Sequence, residues 1–262
     1  MQSQSEHAPI IVTDEEWSNR HLQDESWIEG YWKSRNHPHR SFITETIQKF
    51  SPIHSVLEIG CASGPNLYRI ARKFPCADVR GIDINPMAVQ LGNEWFRQEG
   101  LSNVELEVGK AQNLKRFRDK SFDVVLTDAV LIYVPPDEIR QVAREMLRIG
   151  RVLVLNEWHI FNKRLALFWN TYCCLKMKTE IQAKQRFTNT NFSLIPQSSL
   201  GFFVGHWARD YKTLFQKFVQ KEKVHITKLP KKLYDDKGWQ TWGAIIEVKG
   251  QNITDSRTVA HP

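Results

Sequence analysis

The sequence predicts an α/β fold built around a mostly parallel sheet. The main observation is that short apolar segments of strand length alternate with amphipathic segments of helix length along most of the chain. The second is a glycine-rich turn directly after the first of these strands, which is where a βα unit needs one. The third is size, because 262 residues with 41% hydrophobic side chains can bury the core of one decorated domain.

The predicted elements follow in a regular order. A helix at 42–50, with apolar side chains at helical spacing, comes first. Five strands alternate with three helices, the strands at 55–59, 77–82, 104–108, 122–126 and 151–156 and the helices at 65–73, 86–99 and 137–148. After Asn156 the rhythm breaks for about fifty residues, which is longer than a plain connection. It resumes with a helix at 208–218 and strands at 223–228 and 244–248, which indicates five parallel strands and a terminal hairpin.

Composition limits the class of protein. The apolar runs Ala129–Val134 and Leu165–Trp169 fall well short of the roughly 18–20 residues of a membrane-spanning helix, and no secretion signal is visible at the start. The four cysteines form no CxxC pair, so we expect no disulfide scaffold, no metal site and a cytoplasmic location. The net charge of +7 suits nucleic acid, an acidic membrane surface or an anionic substrate and does not choose among them.

The first predicted strand ends in the run Glu58-Ile59-Gly60-Cys61-Ala62-Ser63-Gly64-Pro65. Such a turn lets a ligand approach the backbone and directs the following helix N-terminus at it. A dinucleotide fingerprint G-x-G-x-x-G starting at Gly60 needs glycine at the positions of Ala62 and Pro65, and both fail. A nicotinamide-dependent oxidoreductase therefore ranks third among the hypotheses for function, below the two that are given at the end of this section.

The second predicted strand ends in Gly81-Ile82-Asp83-Ile84-Asn85-Pro86. A carboxylate at this tip, about 20 residues after the glycine turn, accepts hydrogen bonds from ribose hydroxyls. Asn85 can cap the next helix and Pro86 suits its first position. The pattern favours a nucleoside ligand. The alternative is that Asp83 merely caps the next helix or is a solvated carboxylate.

Together with Gly109-Lys110-Ala111 and the segment from Ser121 to Pro136, these motifs resemble those of a class I S-adenosylmethionine-dependent methyltransferase of the small-molecule (methyltransferase type 11-like) group. The resemblance covers about residues 40–157. It implies a Rossmann-like seven-stranded sheet with helices on both faces and an antiparallel last strand, and S-adenosylmethionine as cosubstrate.

The resemblance also implies roles for individual residues. Gly60, Ala62 and Gly64 would line the methionine and adenosine, and Glu58 would orient the turn and the methionine amino group. Asp83 would hold the ribose, and Ile84 would pack on the adenine. Ala111 would donate its backbone N–H to the adenine, and Thr127 would offer its carbonyl to the methionine ammonium. The family usually has an aspartate at position 110, where it contacts the adenine amino group. Lys110 cannot accept a hydrogen bond, so this contact would pass to Gln112 or to water.

An aromatic segment, 27–36, precedes the core. In similar proteins a segment here folds over the cofactor, aromatic faces suit a sulfonium cation, and an arginine suits a carboxylate. We predict Tyr31 and Arg35 as the residues of this lid. The alternative is that Trp27, Tyr31 and Trp32 simply pack the first helix on the sheet.

Three residues are predicted to be catalytic. His159 follows the fifth strand and has the intrinsic pKa of a general base, Glu157 could orient or replace it, and Tyr133 follows the fourth strand. His206 is a further candidate. The alternative is methyl transfer by proximity alone.

The domain boundaries that follow are a flexible tail at 1–24, a lid and helix at 25–54, a cofactor-binding core at 55–157, an insertion at 158–205 that shapes the acceptor site, a final helix and hairpin at 206–250, and a tail at 251–262. The insertion contains an apolar, basic-flanked stretch at 164–176, which favours a lid helix and alternatively peripheral membrane contact.

The sequence lacks nucleic-acid-binding signatures, which argues against DNA or RNA substrates. We therefore expect methyl transfer to a small molecule such as a sugar, a glycan precursor or a lipid-like metabolite. The alternative is a non-catalytic module that binds S-adenosylmethionine or a nucleoside.

Overall fold

A computed structural model describes residues 14–24, 26–134, 138–157, 193–197, 201–205, 208–220, 223–228 and 244–249. The helices are α1 (Asp14–Ser18), α2 (Arg20–Gln23), α3 (Ser26–Lys33), α4 (Pro38–Gln48), α5 (Pro65–Lys73), α6 (Pro86–Gln98), α7 (Ile139–Ile149) and α8 (Ala208–Phe215). The strands are β1 (Ser55–Ile59), β2 (Asp78–Asp83), β3 (Val104–Val108), β4 (Phe122–Asp128), β5 (Gly150–Asn156), β6 (Ser193–Gln197), β7 (Gly201–Gly205), β8 (Val224–Lys228) and β9 (Ala244–Lys249). Short 3₁₀ helices lie at Ser34–Asn36 and Leu131–Tyr133.

Seven strands form one sheet in the order β3-β2-β1-β4-β5-β9-β8. The pairs among β1 to β5 are parallel, whereas β9 runs antiparallel to both of its neighbours, β5 and β8. The predicted fold class is therefore confirmed, including the antiparallel last strand. Strands β6 and β7, which the sequence did not predict, form a separate antiparallel hairpin, and β7 lies beside the Leu131–Tyr133 turn.

The first forty residues differ most from the prediction. A loose tail is predicted over 1–24, but residues 14–23 form α1 and α2, which pack through Trp17 on Trp27. Helix α4 begins four residues before the predicted start at Phe42. The reason is local, because the His37 side chain caps the helix by accepting from the His39 N–H at 3.4 Å and Pro38 occupies the first helical position.

The sheet is buried on both faces. Along β1, Val56 belongs to a hydrophobic cluster on one face, while Leu57 and Ile59 belong to a cluster on the other. The same alternation holds in β5, where Val154 faces the first cluster and Leu153 the second. Helices on both faces are thus needed to cover the parallel strands, as the apolar character of the strands predicts.

The strand order determines where a ligand can bind. Strand β1 has β2 on one side and β4 on the other, so the helices that follow β1 and β4 leave the sheet in opposite directions. A crevice opens at such a switch point, beyond the carboxyl ends of the strands. In the sheet register Ile59 lies opposite both Ile82 and Thr127, which brings the segments starting at Gly60, Asp83 and Asp128 to one edge.

Among the described residues, none of the helices combines the length and the apolar character needed to cross a bilayer. The stretch at 164–176 and the C-terminal segment at 251–262 lie outside the described residues.

Candidate functional site

A cavity of about 330 Å³ opens at this edge of the sheet. It is lined by seven of the residues predicted for the site, namely Gly60, Ala62, Asp83, Ile84, Ala111, Tyr31 and Tyr133. It is also lined by residues that the sequence analysis did not assign to the site, including Asp14, Trp17, Arg20, Trp27, Asp128, Ala129 and Val130. The size falls at the small end of the range for ligand pockets.

The glycine turn exposes its backbone to the cavity because of its unusual conformation. Gly60 has φ +70°, Ala62 has φ +48°, and a Cβ atom at Gly60 would lie 2.3 Å from Cγ2 of Val130. The turn is tied to the second strand, since the Ala62 N–H donates to Asp83 Oδ2 at 2.7 Å. A side chain at position 60 would therefore fill the space between the turn and the opposite wall.

Asp83 is held rigidly at the cavity wall and is only 8% exposed. Its Oδ1 accepts from the Asn85 N–H at 2.9 Å, in addition to the bond from Ala62. Burial raises the pKa of Asp83, and the backbone N–H groups of Asn85, Ala62 and Ile84 oppose the shift. Each carboxylate oxygen keeps acceptor capacity for a further donor, as a ribose hydroxyl would supply.

Four predicted cofactor residues, Arg35 among them, are not part of the cavity lining. Glu58 is 1% exposed and accepts from Asn66 Nδ2 at 2.6 Å, and burial raises its pKa well above the usual value. A Cβ at Gly64 would lie 2.5 Å from the ring of Phe96, so this glycine permits close packing of helix and sheet. Thr127 is paired within the sheet between β1 and β5. Their predicted contacts with the cofactor stay predictions.

Asp128, at the end of β4, is the centre of a buried polar cluster that the sequence analysis missed. Its Oδ2 lies 3.2 Å from Arg40 Nη1, 3.0 Å from Asn66 Nδ2 and 3.5 Å from His39 Nε2. Its Oδ1 accepts from Asn156 Nδ2 at 2.7 Å.

Burial alone would raise the pKa of Asp128, but His39, Arg40 and Asn66 outweigh it and hold the pKa well below its usual value. Asp128 is therefore a fixed negative charge in the cavity. The position of Asp128 at the carboxyl end of a central strand is the sequence feature that could have identified it as a site residue.

Helices α1 and α2, predicted as a loose tail, form one wall of the cavity. The Trp17 ring packs edge-on against Tyr133 with centroids 4.7 Å apart, and its carbonyl accepts from Asn85 Nδ2 at 3.0 Å. The Trp27 and Tyr31 rings lie 5.3 Å apart. The aromatic wall is thus built from α1, α3 and the Leu131–Tyr133 turn, and Tyr31 belongs to it.

Arg35 lies outside the cavity lining, and its predicted contact with the cofactor stays a prediction. Its Nη1 donates to the Trp32 carbonyl at 3.2 Å, its Nη2 lies 3.6 Å from Glu99, and its guanidinium stacks 4.8 Å from the Trp32 ring. These partners engage Arg35 in the 3₁₀ helix Ser34–Asn36 that follows α3. The arginine that lines the cavity is Arg20.

Lys110 stands where the family usually has an aspartate, and a carboxylate from another segment lies beside it. Lys110 Nζ lies 2.8 Å from Asp14 Oδ2, and both side chains are about half exposed at the cavity mouth. Asp14 comes from α1, so the sequence around Lys110 contains no sign of it. Asp14 and Gln112 are the acceptor side chains at this end of the cavity.

Of the predicted catalytic residues, Tyr133 lines the cavity and Glu157 supports it from behind. Glu157 is fully buried, and its Oε2 accepts from the N–H groups of Val130 and Leu131, both at 3.0 Å. Glu157 thereby fixes the turn that carries Tyr133. His159 and His206 lie outside the described residues, and a catalytic role for any of these residues stays a prediction.

Glu157 makes stability depend on pH. Burial raises its pKa to about 7 from 4.5, although the Thr127 hydroxyl and the backbone N–H groups of Leu131 and Val130 oppose the shift. Between these values the folded chain holds a proton that the unfolded chain has released, so stability contributed by Glu157 is lost as the pH rises. From pH 4 to pH 7 we expect the free energy of unfolding to fall by about 3 kcal/mol relative to Glu157→Gln. Urea unfolding of both proteins at several pH values measures this, and parallel pH profiles would contradict it.

Comparison with known proteins agrees with this geometry. A family described as a methyltransferase domain matches residues 56–151. The trans-aconitate 2-methyltransferase of Deinococcus radiodurans is 32% identical over 142 residues, covering 52% of this chain and 50% of that protein. The EEF1A lysine methyltransferase 2 of Homo sapiens is 43% identical over 60 residues, covering 23% and 25%. The chain thus spans no more than half the length of these relatives.

Solved structures agree with the fold. The Burkholderia thailandensis 1,6-didemethyltoxoflavin-N1-methyltransferase, with 1,6-didemethyltoxoflavin and S-adenosylhomocysteine bound, superposes with a TM-score of 0.61 at 10% identity, covering 94% of this chain and 93% of that one. The PH0226 protein of Pyrococcus horikoshii gives 0.58 at 16% identity, covering 89% and 99%. The family match confirms the resemblance that the sequence motifs predict. Residues 56–151 of the chain match a methyltransferase domain, and the fold is shared with these solved structures.

Proposed function

We propose that this chain transfers a methyl group from S-adenosylmethionine to a small-molecule acceptor. The observation that carries the proposal is the cavity at the switch point of the sheet, where the glycine turn, Asp83 and the segment 109–112 meet under an aromatic cover. A ribose-binding carboxylate, an apolar wall at Ile84 and a fixed negative charge at Asp128 suit a cationic nucleoside of this kind.

When bound, S-adenosylmethionine supplies a methyl group that is activated by its positive sulfur. The residues of the chain then have three tasks, which are to align the acceptor, to exclude water and to accept a proton where the acceptor loses one. The rings of Trp17, Tyr31 and Tyr133 exclude water and offer π faces to a cation. We propose His159, just after β5, as the base for a hydroxyl acceptor.

A small acceptor is supported by the limited volume of the cavity, about 330 Å³. Helices α1 and α2 cover it, and Lys110 and Asp14 pair across its mouth at 2.8 Å. The trans-aconitate and didemethyltoxoflavin enzymes are named for small-molecule acceptors, whereas the human relative is named for a lysine of a protein. We propose that the insertion at 158–205 completes the acceptor side, since β7 of this segment lies beside the turn that carries Tyr133.

Calorimetric titration followed by a transfer assay tests the proposal. The purified chain should bind S-adenosylhomocysteine and S-adenosylmethionine but not NADH, and it should transfer a labelled methyl group to at least one member of a panel of small hydroxyl, carboxyl and amine acceptors. Binding without transfer to any acceptor would favour a non-catalytic S-adenosylmethionine-binding module. Binding of NADH alone would favour an oxidoreductase.

The variant Asp83→Ala tests the ribose contact. It removes one or two charge-assisted hydrogen bonds, so the affinity for S-adenosylhomocysteine should fall about ten- to several hundred-fold. Calorimetry measures this loss, and circular dichroism checks that the fold is intact without the bonds to Ala62 and Asn85. Asp78→Ala, at the exposed opposite end of the same strand, is the matched control. Equal affinity in Asp83→Ala and Asp78→Ala would refute the assignment.

A further inference from the structure

We propose that Arg20 is a carboxylate-binding residue of the cavity, which rests on the proposed function because the carboxylate belongs to a ligand of the methyl-transfer site. Arg20 lines the cavity from α2. Two of its nitrogen atoms, Nε and Nη1, are buried and have no hydrogen-bond partner among the described residues. Buried guanidinium nitrogens without an acceptor are costly, and a ligand oxygen would satisfy them.

The aromatic residues around Arg20 hold its guanidinium in place without using its N–H groups. Its central carbon lies 4.6 Å from the Trp17 ring centroid and 5.5 Å from that of Trp27. Stacking on a ring engages the face of the guanidinium and leaves the N–H groups at its edge available. A planar cation fixed in this way can bind a carboxylate through two parallel hydrogen bonds.

Arg40, a buried arginine whose partner Asp128 lines the cavity, differs in this respect. Arg40 donates from Nε to the Ser34 carbonyl at 3.0 Å, from Nη2 to the Ser34 hydroxyl at 2.8 Å, and from Nη1 to Asn66 and Asp128. The N–H groups of Arg40 therefore donate to other residues of the chain and stabilise the fold. Arg20 has no comparable set of partners among the described residues.

The carboxylates of the cavity lining are already engaged elsewhere. Asp14 pairs with Lys110, Asp83 accepts from two backbone N–H groups, and Asp128 is bound to Arg40 and two asparagines. The described residues thus provide no carboxylate for Arg20. The missing anion would come with a ligand.

Two ligands of this site could supply that carboxylate. One is the methionine end of the cosubstrate, and the other is an acceptor that is itself a carboxylic acid. Both would make the same paired contact with Arg20, so the test needs one arm for each source.

The first arm compares S-adenosylhomocysteine with its decarboxylated analogue by calorimetry, in the wild type and in Arg20→Met. If the methionine carboxylate is the partner, the wild type prefers S-adenosylhomocysteine, and Arg20→Met weakens that ligand alone by about 10- to 100-fold. Arg20→Lys should restore only part of the preference, because it keeps the charge and loses the fork.

The second arm titrates a panel of small carboxylic acids and their primary amides into the chain saturated with S-adenosylhomocysteine. If the acceptor carries the carboxylate, some acid binds the wild type at least about tenfold more tightly than its amide. Arg20→Met abolishes this difference while S-adenosylhomocysteine binds as before. Arg72→Met is the matched control, since Arg72 stacks 5.4 Å from the Tyr68 ring outside the cavity.

Equal binding of both nucleosides and of every acid by the wild type and by Arg20→Met would overturn the proposal, provided that both melt at similar temperatures. Failure of the proposed function gives a different result, in which the wild type itself does not bind S-adenosylhomocysteine. The acids and their amides are then titrated into the chain without nucleoside. A preference for an acid that is lost in Arg20→Met would support the proposal, and equal binding by the wild type and Arg20→Met would overturn it.

Discussion

The variant Gly60→Val should show no measurable binding of S-adenosylhomocysteine, a loss of more than about 100-fold in affinity. The new Cβ would lie 2.3 Å from Cγ2 of Val130, so the branched side chain would fill the space beside the turn where the cofactor must pass. Position 60 also has φ +70°, a conformation that disfavours β-branched residues. Calorimetry measures the affinity, and circular dichroism checks that the variant is folded.

The control variant Gly100→Val separates the backbone strain caused by valine at Gly60 from the filling of the space beside the turn. Gly100 has φ +71°, so valine there meets the same backbone strain, but nothing lies within 4 Å of the added Cβ. We expect Gly100→Val to lose stability and to bind S-adenosylhomocysteine normally. If Gly60→Val is folded and binds like Gly100→Val, the ligand does not lie on this turn.

The variant Asp128→Ala should lose about 3–5 kcal/mol of unfolding free energy, because it leaves the buried Arg40 without its counter-charge. The side chains of Asp128 and Arg40 are 8% and 5% exposed, and Asn66 and Asn156 each lose one acceptor. Urea unfolding measures the loss. The affinity for S-adenosylhomocysteine, measured on the folded fraction, should fall as well because Asp128 lines the cavity.

An exposed pair provides the comparison for Asp128→Ala. Asp78 and Arg80 lie 3.0 Å apart with side chains 56% and 41% exposed, so Asp78→Ala should change stability by no more than about 1 kcal/mol. A loss in Asp128→Ala that is as small as in Asp78→Ala would show that the buried cluster is not important for stability.

The sequence alone determined the sheet and the part of the site that lies within local motifs. Strands β1 and β3 and helix α5 have the predicted bounds, because apolar patterning, a glycine turn and Pro65 act over a few neighbouring residues. Gly60, Ala62, Asp83 and Ile84, which the sequence predicts for the cofactor site, line the cavity for the same reason, since each lies at or just after the end of a strand that the pattern identifies.

Tertiary structure alone decided which distant residues complete the site. Trp17 and Arg20 belong to a polar segment without long periodicity, and they reach the cavity because Trp17 packs on Trp27 and Tyr133. Arg20 lines the cavity and Arg35 does not, because Arg35 interacts with Trp32 and Glu99, which lie outside the cavity lining. Asp14 stands beside Lys110, 96 positions along the chain, through a contact that no local pattern encodes. Local propensities act within a few residues, whereas the pairing of charges and rings across a cavity depends on how whole elements pack, and the packed structure is therefore what revealed this half of the site.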